Sequence, residues 1–121
     1  MPDLDSTGER YQWVPLSGST NGAPVHLTAT GTPGDTVHTA QSGGVDIVWV
    51  WANNVHTGDV VVSFEVGGTG VTKQLDMTVV ADSAPAVPLI DGWLMANGLT
   101  LKAFAGTTAV VNLTGKVKRY D

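Results

Sequence analysis

A chain of 121 residues is the size of one ordinary domain, long enough to bury roughly two thirds of the surface its unfolded form exposes. Only 14% of residues are charged against 42% apolar, so Thr, Ser, Asn, Gln and Gly must cover much of the surface; 15 glycines without a triplet period speak for many turns and against collagen or a helical bundle. A net charge of −5 excludes a protein that tracks nucleic-acid phosphates, which needs clustered Lys and Arg, and the absence of cysteine removes disulfides and thiolate metal sites.

Residues 1–10 are polar and without periodicity, and read as an extended N-terminal arm made acidic by Asp3, Asp5 and Glu9. The arm has no basic segment followed by an apolar run, and no stretch of the chain approaches the length of a membrane span. Synthesis in a cytosol, without general secretory export or membrane insertion, is the expectation. Residues 11–121 then read as a single β-sandwich domain. A first strand over 11–17 is interrupted by Pro15, which places it on a sheet edge. Gly18-Ser19-Thr20-Asn21-Gly22 is a turn, followed by a strand in which Val25, Leu27 and Ala29 alternate with His26, Thr28 and Thr30. A short strand is expected over 36–40.

Residues 47–52, Ile-Val-Trp-Val-Trp-Ala, are apolar on both faces and rich in β-branched and aromatic side chains, which predicts a central strand with Ile47, Trp49 and Trp51 pointing one way. Two alternating runs, Val60, Val62, Phe64, Val66 and Val71, Leu75, Met77, flank the glycine loop 67–70 and predict a hairpin. Pro85 and Pro88 mark a connection that crosses between sheets. The pair Asn97-Gly98 predicts a second hairpin between strands at 93–96 and 99–101, because both central positions of its turn need positive φ. A last hairpin joins Leu101, Ala103 and Ala105 to Val111, Leu113 and Val117. No window carries a helical stripe. The expected fold is all-β, an antiparallel two-sheet sandwich of jelly-roll type with about eight or nine short strands, an immunoglobulin-like sandwich being its nearest competitor. Its core is expected to hold Ile47, Trp49, Val60, Val62, Phe64, Leu75, Leu101 and Leu113.

Signs of catalysis are lacking. None of the serines lies in a G-x-S-x-G elbow, and the only glutamates are Glu9 and Glu65. The string Asp3-Leu4-Asp5 reads as a solvated acidic tail. His26, His38 and His56 are 12 and 18 residues apart, spacings that match no metal motif, and His26 reads as an exposed histidine on the polar face of its strand. No enzyme activity, cofactor or metal is expected. Asn112-Leu113-Thr114 matches a glycosylation sequon but reads as three strand residues. Trp49 and Trp51, roughly 7 Å apart on one face, would make a sugar-stacking platform; core packing beside Phe64 is the preferred reading. Trp13 and Trp93, beside proline- or glycine-rich segments, are candidates for exposure at an interface, where aromatic residues are enriched. Lys116, Lys118 and Arg119 form a basic C-terminal end suited to an acidic partner or a neighbouring subunit's acidic arm. The candidate partner-contact residues are therefore Asp3, Asp5, Glu9, Trp13, Trp93, Lys116, Lys118 and Arg119.

The string Pro15-Leu16-Ser17-Gly18-Ser19-Thr20-Asn21-Gly22, the segment 25–36, the strand 45–53 and the closing stretch 99–119 together resemble small virion proteins of tailed bacteriophages, the β-rich decoration, cement and head-fibre proteins. The end Gly115-Lys116-Val117-Lys118-Arg119 is similar to the final strand of such chains. The resemblance implies a structural protein of the virion, made in the host cytoplasm, that binds the major capsid protein on the outer surface of the head as a homo-oligomer, in the expected case a trimer, and stabilises it. A tail-fibre or head-fibre adhesin, or a carbohydrate-binding module, is the alternative. Neither nucleic acid nor membrane is an expected partner.

Overall fold

The computed structural model describes residues 3–4, 10–81 and 88–120. They form an all-β sandwich of two antiparallel sheets packed against each other. In chain order the strands are β1 (Asp3–Leu4), β2 (Arg10–Val14), β3 (Val25–Leu27), β4 (Asp35–Thr39), β5 (Val45–Asn54), β6 (Val60–Val66), β7 (Gln74–Val79), β8 (Ile90–Ala96), β9 (Thr100–Ala105) and β10 (Val111–Tyr120), with one 3-10 turn at Val71–Lys73. The first sheet has the order β1-β2-β10-β5-β8, with β3 also on β10; the second has the order β4-β9-β6-β7.

The long strand β10 organises the first sheet. One side pairs with β5 from Val111↔Asn54 to Tyr120↔Val45, and the other is shared by β3 near its start and β2 near its end. Leu16, buried in the loop between β2 and β3, lies against Gly115. That glycine takes the inward register of Leu113 and Val117 without a side chain, because a Cβ there would lie 2.2 Å from the Trp49 carbonyl oxygen and 2.9 Å from Leu16 Cδ1. Pro15 directly follows β2, whose outer side carries, among the described residues, only the two-residue β1.

Val60, Val62, Phe64, Leu101 and Leu113 are buried as expected, and Leu75 packs against the core partly covered. The expectation for β5 needs correction. Ile47, Trp49 and Trp51 do share a face, but it is the outer one; Val48, Val50 and Ala52 fill the core. Both faces of this strand are apolar, so alternation alone leaves its orientation open, and choosing the larger side chains for the core picks the wrong set. Phe64, Leu101 and Met95 already occupy the interior volume, which leaves room on β5 for the smaller residues.

Two of the three expected hairpins are also corrected. β6 and β7 do pair, although Val71 lies in the 3-10 turn, exposed, rather than in a strand. Asn97 and Gly98 have the positive φ that their turn demands, yet β8 pairs with β5 in one sheet and β9 with β4 and β6 in the other. The turn is thus a corner between layers. The connection from β9 to β10 likewise crosses from one sheet to the other. The crossing assigned to Pro85 falls outside the described residues, as do Asp5 and Glu9; β7 and β8, on either side of it, do belong to different sheets.

Candidate functional site

Three polar or aromatic groupings stand out, and their chemistry differs. The first is internal. Asp46 and Asn54 lie at the two ends of the inward face of β5, and both are fully partnered. Asp46 accepts from Arg119 Nε at 2.9 Å and Nη2 at 2.9 Å, from His38 Nε2 at 2.8 Å and from the Gln41 amide. The Ser17 amide donates to His38 Nδ1 at 3.0 Å, which fixes the neutral imidazole with its proton on Nε2. Burial holds the His38 imidazole below its ordinary value, against the opposing pull of Asp46. Burial alone would raise Asp46, but the guanidinium of Arg119 and the His38 hydrogen bond outweigh it and hold the carboxyl low.

Ser, His and Asp meet here without making a catalytic triad. It is the backbone of Ser17 that contacts the imidazole, while its hydroxyl accepts from the Thr39 amide at 2.7 Å; both His38 and Asp46 are 0% exposed. No substrate can reach them. A second internal carboxylate, Glu65, accepts from the Thr32 hydroxyl and, at 2.6 Å, from the Gly34 amide, and so ties the 31–34 loop to β6. His26 meets Asn112 and His56 meets its own loop at Gly58, so neither shares a partner with His38. Among the described residues no group of three His, Asp or Glu is arranged to hold a metal ion.

The second grouping covers the outer face of the first sheet. Directly paired residues share a face, so the register brings Tyr11 and Trp13 of β2, Lys116, Lys118 and Tyr120 of β10, Ile47, Trp49 and Trp51 of β5, and Leu94 of β8 to one side. Strands two apart are about 9.6 Å from each other, yet the Trp13 and Trp49 ring centroids are only 5.7 Å apart, because both indoles lean across β10. Tyr11 sits edge-on to Trp13 at 6.5 Å and tilted against Tyr120 at 5.9 Å. Lys116 Nζ lies 4.7, 5.3 and 5.9 Å from the rings of Trp13, Trp49 and Trp51. Lys118 Nζ lies 4.4 Å from Tyr11, 5.4 Å from Tyr120 and 5.9 Å from Trp13. The floor beneath Trp49 is a bulge in β8 at Gly92, where φ is +76° and a Cβ would come within 3.7 Å of the indole. Trp13 is 49% exposed and Leu94 62%.

The third is an open groove of about 170 Å³ between the sheet edges, lined by Val66, Thr72, Lys73, Gln74, Leu75 and Trp93. Comparison with protein-family models, with curated proteins and with solved structures finds no match to this chain. Of the candidate contact residues, Trp13, Lys116 and Lys118 come together on the outer face. Trp93 stands apart in the groove, and Arg119 turns inward to Asp46. Asp3 lies in β1 opposite Tyr11. Sequence reasoning missed Trp49 and Trp51 as members of this face. Their signal was present in the two-residue spacing of Trp49 with Trp51 and of Lys116 with Lys118, but only strand pairing puts the two pairs side by side.

Proposed function

We propose that the protein is a non-enzymatic docking module that works as a structural virion protein, decorating the outer surface of a tailed-phage head and stabilising it through contact with the major capsid protein. The observation that carries docking is the outer face of the first sheet. Aromatic residues anchor protein interfaces, and here three tryptophans and two tyrosines are gathered on one face without a covering layer among the described residues. The head as the place of docking is supported by the resemblance of segments 15–22, 25–36, 45–53 and 99–119 to such virion proteins. The working form in this reading is a homo-oligomer, in the simplest case a trimer, which repeats a modest contact by symmetry.

The test is cosedimentation of the purified protein with heads of the phage that encodes it. Wild type should saturate the heads, and Trp13→Ala with Trp51→Ala should lose occupancy while retaining the β-sheet circular dichroism of the parent. Loss of a central interface tryptophan typically weakens binding by about thirtyfold or more. Full occupancy by the folded double variant would overturn the reading. A protein that ignores heads but retains neutral glycans through the same tryptophans would be the adhesin or carbohydrate-binding module instead.

A further inference from the structure

We propose that Ser17 and Gly18 form an acid-released strap over the edge of the second sheet, held closed by neutral His38 and let go when the imidazole takes up a second proton. Backbone contact sets the strap's place. β4 ends the order β4-β9-β6-β7, and on its outward edge the Gly18 amide donates to the Val37 carbonyl at 2.9 Å, while the Ser17 hydroxyl accepts from the Thr39 amide at 2.7 Å. A Cβ on Gly18 would run into the Thr36 carbonyl oxygen and stand 2.7 Å from that of Val37, so glycine lets the chain lie flush on the strand. An uncovered edge invites pairing with other chains, and a short covering segment prevents it.

The third tie senses protons. The Ser17 amide donates to His38 Nδ1 at 3.0 Å, which requires the lone pair of that nitrogen. Nε2 keeps its proton on Asp46, at 2.8 Å, in either charge state of the ring. A second proton therefore goes to Nδ1, where it meets another N–H. Two facing donors cannot share a bond, and because the imidazole is 0% exposed, water reaches Nδ1 only when the strap moves off. Leu16 is the hinge: it stays buried against Gly115, whereas Ser17, Gly18 and residues 20–24 are exposed and swing without disturbing the core.

Burial is the strongest force against the charged ring; among the described residues the charged groups acting on it are Asp46 of β5, which favours the imidazolium, and Arg119 of β10, which opposes it. Lifting the strap relieves the burial, so the open form binds the second proton more readily than the closed one. Acid thus favours opening, and release begins as pH falls below the ordinary histidine value of 6.5. The acid form presents the Val37 carbonyl and the Thr39 amide on an open sheet edge, away from the aromatic face and independent of what docks there.

Amide hydrogen exchange of the intact protein, followed by NMR at pH 7.5 and pH 4.5 with the intrinsic effect of pH divided out, tests the strap. Protection of the Gly18 and Thr39 amides should be lost at pH 4.5, while that of Val62 and Phe64 in β6 is retained. Long-range nitrogen spectra should show His38 protonated on Nε2 alone at the higher pH and on both nitrogens at the lower. Equal loss at all four amides would mean global unfolding and would overturn the inference. So would full protection of Gly18 and Thr39 once His38 carries both protons, or an imidazole still neutral at pH 4.5. Gly18→Ala gives the converse, because its methyl group lifts the strap at neutral pH. Thr39 should then lose protection at pH 7.5 and, by reciprocity, the His38 titration should move up toward 6.5; a titration that stays where it is in wild type refutes the coupling.

Discussion

Replacing Asp46 by alanine is the sharpest test of how the two sheets are tied at the β4–β5 corner. The carboxylate is buried and accepts four hydrogen bonds from His38, Gln41 and Arg119. Breaking a buried ion pair typically costs about 3–5 kcal/mol when a charge is left stranded. Here the cation that loses Asp46 is Arg119, whose side chain is 25% exposed and so reaches water, and the upper part of that range does not apply. What remains unpaired is the Nε2 proton of a wholly buried His38 and the Gln41 amide, each costing about 1–3 kcal/mol. The expected loss is about 3 kcal/mol, which for a chain of this size lowers the melting temperature by roughly 10–15 °C. Urea titration followed by circular dichroism at pH 7.5 reads it directly. A loss below about 1 kcal/mol would mean that the network is ornamental and that the reasoning from burial is wrong.

Phe64→Ala should cost about 3–5 kcal/mol, whereas Trp49→Ala, removing a larger side chain from the outer face, should cost clearly less; a thermal melt showing the opposite order would restore Trp49 to the core. Acid should destabilise the fold in two steps. His38 binds its proton less readily folded than unfolded, so its contribution is complete above the ordinary value of 6.5 and is lost as pH falls below it. Asp46, held below its ordinary value of 3.8, adds a further loss as pH falls through its lowered folded-state value. Urea midpoints from pH 8 to 3 should therefore begin to fall near pH 6.5, and His38→Gln should remove that first step; a flat wild-type profile down to pH 4.5 would refute it.

How far the sequence could be read depends on whether the deciding contact is local. Turn chemistry is local, so Asn97-Gly98 announces its positive φ values correctly. Which sheet receives the next strand is decided elsewhere, by the pairing of β9 with β4 and β6, and nothing within the turn says that β8 and β9 part company. Alternation is local too, and it assigns Val60, Val62 and Phe64 to the core because the other face of β6 is less apolar. In β5 both faces are apolar, and the inward set is further disguised by the polar residues at its ends, Asp46 and Asn54, which look solvent-bound in sequence. Some of their partners are near in sequence, such as His38, Gln41 and Gly58, but Arg119 and Val79 lie 73 and 25 residues away. The aromatic face is legible only as fragments for the same reason: Trp13, Trp49 and Lys116 come from three strands whose adjacency the linear chain does not reveal.

Two explanations compete for that face, and their energetics differ. A sheet face that carries no second layer among the described residues gains stability when long side chains cover its aromatic residues, and the ammonium groups of Lys116 and Lys118 lie over Trp13 and Tyr11. Cation–π pairs at exposed positions contribute about 0.5–1 kcal/mol each, a useful share of a domain's marginal stability. Covering, however, would be served as well by smaller residues, and it does not account for leaving Trp13 49% exposed and Leu94 62% exposed on one continuous surface. Folding gains nothing from the half of an indole that stays in water. A partner that buries that half gains from it at about 25 cal/mol per Å² of apolar area.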